Sequence, residues 1–185
     1  MSGNVLKRNA LLSAFNKAGL DDFARALIEL GFDVYASQDT SPHLVASGVY
    51  VQDVAPTDSP GDAAELRRLG IPRFDLVYVD LYPLEEEIAR EGATLASVLE
   101  KTDIGGPTML RSAAKDRRIV LCSPDQFAIT LKYLRGDFAN IDNVDERFIS
   151  HLVAVAEEML ADYCLASSEF HANIAADVWD EMEAA

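Results

Sequence analysis

Short apolar runs of strand length alternate with helical stretches along most of this 185-residue chain, and that alternation limits its fold more than any other feature. Leu76-Val-Tyr-Val-Asp-Leu81 is the clearest buried strand, nearly all apolar or aromatic and stopped at Tyr82-Pro83. Ala10 to Ala14, Phe32 to Ala36, Val49 to Val54 and Arg118 to Cys122 read as further strands. Phe23, Leu27 and Leu30 give one apolar face to a helix beginning near Asp21, and Gly31 is a natural stop for it. Shorter helical pieces are expected at His43 to Ser47, Ala63 to Leu69, Glu85 to Arg90 and Thr94 to Lys101, with Pro56 to Gly61 as loop. Ser123-Pro-Asp-Gln126 is a capping box opening a helix that runs to about Arg135. Phe148, Leu152, Val155, Met159 and Tyr163 recur at helical spacing, which predicts a helical C-terminal region over about 143–185. The order predicts an α/β fold in three layers: a mainly parallel sheet with helices on both faces, and ligands at the carboxyl ends of the strands. The length suits one domain over 1–185.

A formal net charge of −15 argues against general affinity for nucleic acid or anionic membranes. No secretory leader or membrane-length apolar run is evident, so the cytoplasm is the expected compartment. Cys122 and Cys164 sit in apolar contexts without CxxC spacing, and His43, His151 and His171 show no ligand spacing; reduced thiols and no metal are expected. The same charge means that an anionic ligand needs a locally positive pocket built from a few lysines and helix N-termini.

The stretch Thr102-Asp-Ile-Gly-Gly-Pro-Thr-Met-Leu-Arg-Ser-Ala-Ala-Lys115 sets an acid, a glycine pair, a helix start and a lysine in fixed order. Gly105 and Gly106 permit backbone conformations or close approaches that other residues resist, and Pro107 suits the first helical position, leaving N–H groups free to face a ligand. Asp103 and Lys115 are expected to bracket that helix start.

Together with Asp75-Leu-Val-Tyr-Val-Asp-Leu-Tyr-Pro83 and Ala10-Leu-Leu-Ser-Ala-Phe-Asn-Lys-Ala-Gly-Leu20, in this order, the stretch resembles the inosine-monophosphate (IMP) cyclohydrolase domain, the amino-terminal half of the bifunctional enzyme that also carries AICAR formyltransferase. The resemblance implies the methylglyoxal-synthase-like fold. It also implies closure of 5-formamidoimidazole-4-carboxamide ribotide to IMP, with loss of water and no cofactor. Lys115, Asp103 and Tyr82 match catalytic positions: Lys115 for the oxyanion, Asp103 to orient the carboxamide, Tyr82 to hydrogen-bond the reacting group. Ile104, Gly105 and Gly106 would offer backbone contacts to the base, beside Asp80 and Leu81, while Ser13, Lys17, Ser37 and Thr40 would lie on the phosphate side. A homodimer is implied, with a purine-precursor nucleotide as ligand. The chain ends at Ala185 without a formyltransferase domain, so a separate formyltransferase is expected in the pathway.

Three departures set the chain apart, two of them on the phosphate side and the third adding a further negative charge. The family's Ser-Gly-Gly-Thr turn is Ser37-Gln-Asp-Thr40 here, which puts a carboxylate where a dianion would sit. The Lys-Thr-Leu-His-Pro segment has no counterpart between Gln52 and Leu69, and the asparagine before Leu-Tyr-Pro is Asp80. The alternative is therefore a catalytically impaired homologue that binds purine nucleotides or regulates.

Overall fold

The structure is a computed structural model that describes residues 8–54 and 73–183. The loop expected at 56–61, the helix at 63–69 and most of the stretch lacking the Lys-Thr-Leu-His-Pro segment lie outside the described residues.

β1 (Arg8–Ala14) and β4 (Leu76–Asp80) pair at the centre of a five-stranded sheet, with β2 (Phe32–Ser37) and β3 (Gln52–Val54) on one flank and β5 (Ile119–Leu121) on the other. The order is β3-β2-β1-β4-β5 and every pairing is parallel; Leu12 lies opposite Tyr78, and Ala14 opposite Asp80. Leu12, Leu76, Tyr78 and Val79 are essentially inaccessible to water, as strands covered on both faces require. Each such large side chain contributes about 1.5–3 kcal/mol by leaving water.

The helices are α1 (Leu20–Glu29), α2 (Ser41–Ala46), α3 (Leu84–Ala89), α4 (Leu95–Lys101), α5 (Gly105–Lys115), α6 (Phe127–Arg135) and α7 (Val144–Glu183). From β1 the chain winds through α1 to β2 on one side, and from β4 through α5 to β5 on the other. Right-handed crossovers in opposite directions put α1 and α5 on opposite faces of the sheet. Phe23 of α1 stacks on Phe127 of α6 at 4.1 Å, and Phe127 meets Tyr78 edge-on at 4.8 Å, closing the first face. The second face is covered by α5 and by α7, which lies along α5, β5 and α3.

Most expected elements form within a residue or two of their predicted limits, and Gly31 stops α1 at φ 85. Ser123 and Gln126 make the capping box, Gln126 Oε1 accepting from Ser123 N–H at 3.0 Å and from Cys122 N–H at 2.7 Å. Two boundaries differ. The third strand is confined to Gln52–Val54, because Val49 N–H is drawn back to Leu44 O at 2.9 Å as α2 ends. α5 starts at Gly105 rather than at Pro107, for a reason that lies in the site.

Candidate functional site

Where winding reverses between β1 and β4, no crossover helix covers the strand ends, and a crevice opens there in folds of this order. The loop after β1 is fastened to the end of β4. Phe15 N–H donates to Asp80 O at 3.2 Å and Asn16 N–H to Asp80 Oδ2 at 2.6 Å. The Phe15 ring lies 5.1 Å from that of Tyr82. Lys17 folds its ammonium back onto Ala14 O at 2.6 Å and Phe15 O at 3.1 Å.

Partial burial raises the Asp80 carboxyl above its ordinary value of 3.8, against the lowering pull of the Asn16 N–H, Lys17 and the Phe15 N–H. The folded state therefore holds this proton more tightly than the unfolded chain does. Stability falls as pH rises from 3.8 to the raised value, and above it the penalty is constant. Asp80→Asn, whose amide oxygen still accepts from Asn16, is expected to raise the melting temperature at pH 7 by about 2–4 °C, a gain that disappears near pH 3. Thermal melts at the two pH values check this.

The start of α5 is set by Asp103. Its Oδ1 accepts the Gly106 N–H at 2.8 Å, so the helix begins two residues before the proline. A Cβ on Gly106 would come within 2.5 Å of Asp103 Oδ2 and closer still to Leu81 Cδ2. The glycine is thus required by close approach, not by unusual dihedrals. The Asp103 N–H donates to the Tyr163 hydroxyl at 2.7 Å, and that hydroxyl donates to Lys101 O at 3.4 Å. Burial, chiefly, raises the Tyr163 phenol. Ile104 and Gly105 are exposed, and their N–H groups meet no protein acceptor among the described residues.

Asp80, Leu81, Tyr82, Asp103, Ile104, Gly105 and Gly106 are thus brought to one end of the sheet. The residues expected on the phosphate side are engaged with their own backbone or with one another, or lie within β1. Thr40 is fully buried, its hydroxyl accepting the Ala14 N–H at 2.9 Å and the Ser37 hydroxyl at 3.0 Å. Ser13 is half-buried on β1, opposite Val79. Lys115 does not flank the helix start. It is exposed in the last turn of α5, where ten residues at about 1.5 Å each separate it from Gly105 by about 15 Å.

Two residues absent from the sequence expectation for the site belong to it. Tyr163, expected only as part of an apolar helix face, ties α7 to the Asp103 loop. Lys101 holds its Nζ 5.4 Å from the centre of the Tyr82 ring, and nothing in the sequence marks it.

A cleft of about 500 Å³ opens on the α7 side of Asp80, Leu81 and Tyr82. It is floored by Cys122, Val155 and Met159 and rimmed by Glu85, Glu86, Glu158 and Asp162. The volume suits a small ligand, whereas the charge opposes an anion at that rim. Burial and then Asp80 push the Cys122 thiol up to about 11, which leaves it unreactive at neutral pH. Among the described residues no group of His, Cys, Asp and Glu could hold a metal ion, and no helix is long and apolar enough to cross a membrane.

Comparison with known proteins matches residues 19–108 to the MGS-like domain. The bifunctional purine biosynthesis protein PurH of Mesorhizobium japonicum is 34% identical over 90% of this chain and 35% of its own length. PurH of Cyanothece sp. is 37% identical over 68% of the chain and 30% of its own length. The chain thus spans about a third of the length of these relatives. Among solved structures, the crystal structure of ForH superposes with a TM-score of 0.70 at 28% identity, over 89% of this chain and 96% of that one.

Proposed function

We propose that this chain, which carries an MGS-like domain and is related to the bifunctional purine biosynthesis protein PurH, acts in purine biosynthesis as an IMP cyclohydrolase. The observation that carries the reading is the packing of Asp103 and the start of α5 against Leu81, next to Tyr82 at the end of β4, with no protein acceptor for the N–H groups of Ile104 and Gly105 among the described residues. An intramolecular ring closure needs its two reacting groups held in one conformer, donors for the developing oxyanion, and groups to move protons. A helix start, a phenol and a carboxylate supply these without a cofactor. In this reading Asp103 holds the α5 start in place and orients the carboxamide, while Tyr82 meets the reacting oxygen. The chain works as a homodimer, and Lys115, exposed at the far end of α5, is no part of this site within its own copy. The compartment is the cytoplasm.

Purified protein given formylated AICAR is expected to form IMP well above the rate in buffer. Asp103→Ala should slow it by about 10²-fold, the scale for removing one fixed polar element of such a site. Turnover no faster than buffer, together with an inert Asp103→Ala, would sink the proposal. A second reading, a module that binds purine nucleotides without turnover, is favoured by the internal engagement of Thr40 and Lys17. Calorimetry with IMP separates the two: micromolar binding with no product supports the module.

A further inference from the structure

We propose that Lys101, not a residue of the glycine-rich motif, supplies the positive charge of this site by binding the carbonyl oxygen on which charge develops; the inference rests on the cyclohydrolase reading above.

The argument begins with the cations around the crevice. Arg90 closes on Glu87 at 2.7 Å and Arg111 on Glu157 at 2.5 Å. Lys17 spends its ammonium on the carbonyls of Ala14 and Phe15. Lys115 stands a helix-length away. Lys101 differs from all of these. Its ammonium lies over the Tyr82 ring, and no carboxylate or carbonyl closes on it among the described residues. Glu87 is close enough to feel its charge, but the Glu87 oxygens are taken by Arg90 and so leave the lysine uncommitted.

Its backbone is nevertheless fixed. Lys101 ends α4, two residues before Asp103, and its carbonyl accepts from the Tyr163 hydroxyl that also receives the Asp103 N–H. One phenol therefore ties down the backbone of both residues. An ammonium lying against the face of an aromatic ring, on a backbone that is itself tied down, is a cation already placed beside the site.

The step it serves balances as follows. The carboxamide nitrogen bonds to the formyl carbon, and the C=O π pair moves onto the oxygen beside Lys101. The attacking nitrogen gives up one proton, which that oxygen takes to become a hydroxyl. The former formamide nitrogen then loses its proton as the hydroxyl departs, so that one water leaves and a C=N bond closes the ring. Lys101 is unchanged at the end. The adjoining cleft is rimmed by Glu85, Glu86, Glu158 and Asp162, so an anion developing beside Tyr82 has mostly negative charge for neighbours and needs such a cation the more.

The test compares Lys101→Met and Lys101→Arg with the parent on formylated AICAR, with IMP affinity read by calorimetry. Lys101→Met is expected to lower kcat by about 10²-fold with KM within about threefold, and Lys101→Arg to recover at least a tenth of the parent rate. The melting temperature should move by only about 1–3 °C, because the side chain loses one cation–π contact with the Tyr82 ring and no hydrogen bond or ion pair among the described residues. Parent-like kcat in Lys101→Met overturns the inference and leaves the cyclohydrolase reading standing. If the parent gives no turnover, that reading fails. The inference then falls with it. Where the parent does turn over, Lys101→Met should bind IMP as the parent does, because the oxygen that Lys101 holds has left as water, and a tenfold weaker IMP affinity would instead assign the lysine to product binding and overturn the inference.

Discussion

Gly106→Ala is expected to destabilise the protein by about 1–3 kcal/mol and to dislodge Asp103, whereas Gly105→Ala one residue earlier should be neutral or mildly stabilising. The pair is informative because both glycines occupy the first turn of the same helix, where alanine is intrinsically preferred by about 1 kcal/mol. Propensity therefore predicts a gain at both. What separates them is space. A Cβ at position 105 meets only Asp103 Oδ1, at 4.0 Å, while one at 106 overlaps the Leu81 methyl and the carboxylate that caps the helix. Leu81 is buried and cannot turn outward freely. The cap must give way, and Asp103 with it. Thermal melts should show a loss of about 3–10 °C for Gly106→Ala. IMP formation by the surviving folded protein should fall with it, while Gly105→Ala matches the parent in both. A Gly106→Ala protein that melts with the parent would refute the close-packing account.

Phe127→Ala carries the largest expected loss of stability, about 3–5 kcal/mol. Phe127 is the first residue of α6 and the ring that joins two elements, stacked on Phe23 of α1 and set edge-on to Tyr78 of β4. Removing it opens a cavity at the centre of one face and deprives two other aromatic rings of their partner. Phe127→Leu should restore a large part of the loss, because it refills most of the volume without the ring geometry. Chemical denaturation read by tyrosine fluorescence checks the order parent, then Leu, then Ala. Equal midpoints for parent and Ala would show that the face repacks without the ring.

The sheet was legible because β4 and β2 are short apolar runs closed by turn residues, so strand type, burial and alternation with helices all follow from local pattern. The long α7 was legible for the same reason, as one apolar spacing sustained from Phe148 to Tyr163. The site was legible only as far as linear order goes. Asp103, Ile104, Gly105, Gly106 and Tyr82 come together because two loops end at the same crevice. Lys115 follows Asp103 by twelve positions, but those positions span α5 and carry the lysine away from the helix start. Thr40 matched a ligand position, yet it binds Ala14 across the β1–β2 pairing, which no local pattern reports. Tyr163 and Lys101 were invisible for a related reason. The bond from Asp103 to Tyr163 joins residues 60 apart, and a lysine over a tyrosine ring exists only after α4 has docked.

The central pairing of β1 with β4 has one more consequence. The ladder that buries Leu12 and Tyr78 also fixes how far apart the two loops stand, so the scaffold and the width of the opening are inherited together. Side chains outside the ladder, among them Asp39 and Lys101, can change without disturbing it. Relatives that share the frame can therefore differ in what they accept by a handful of side chains, with no trace in the topology.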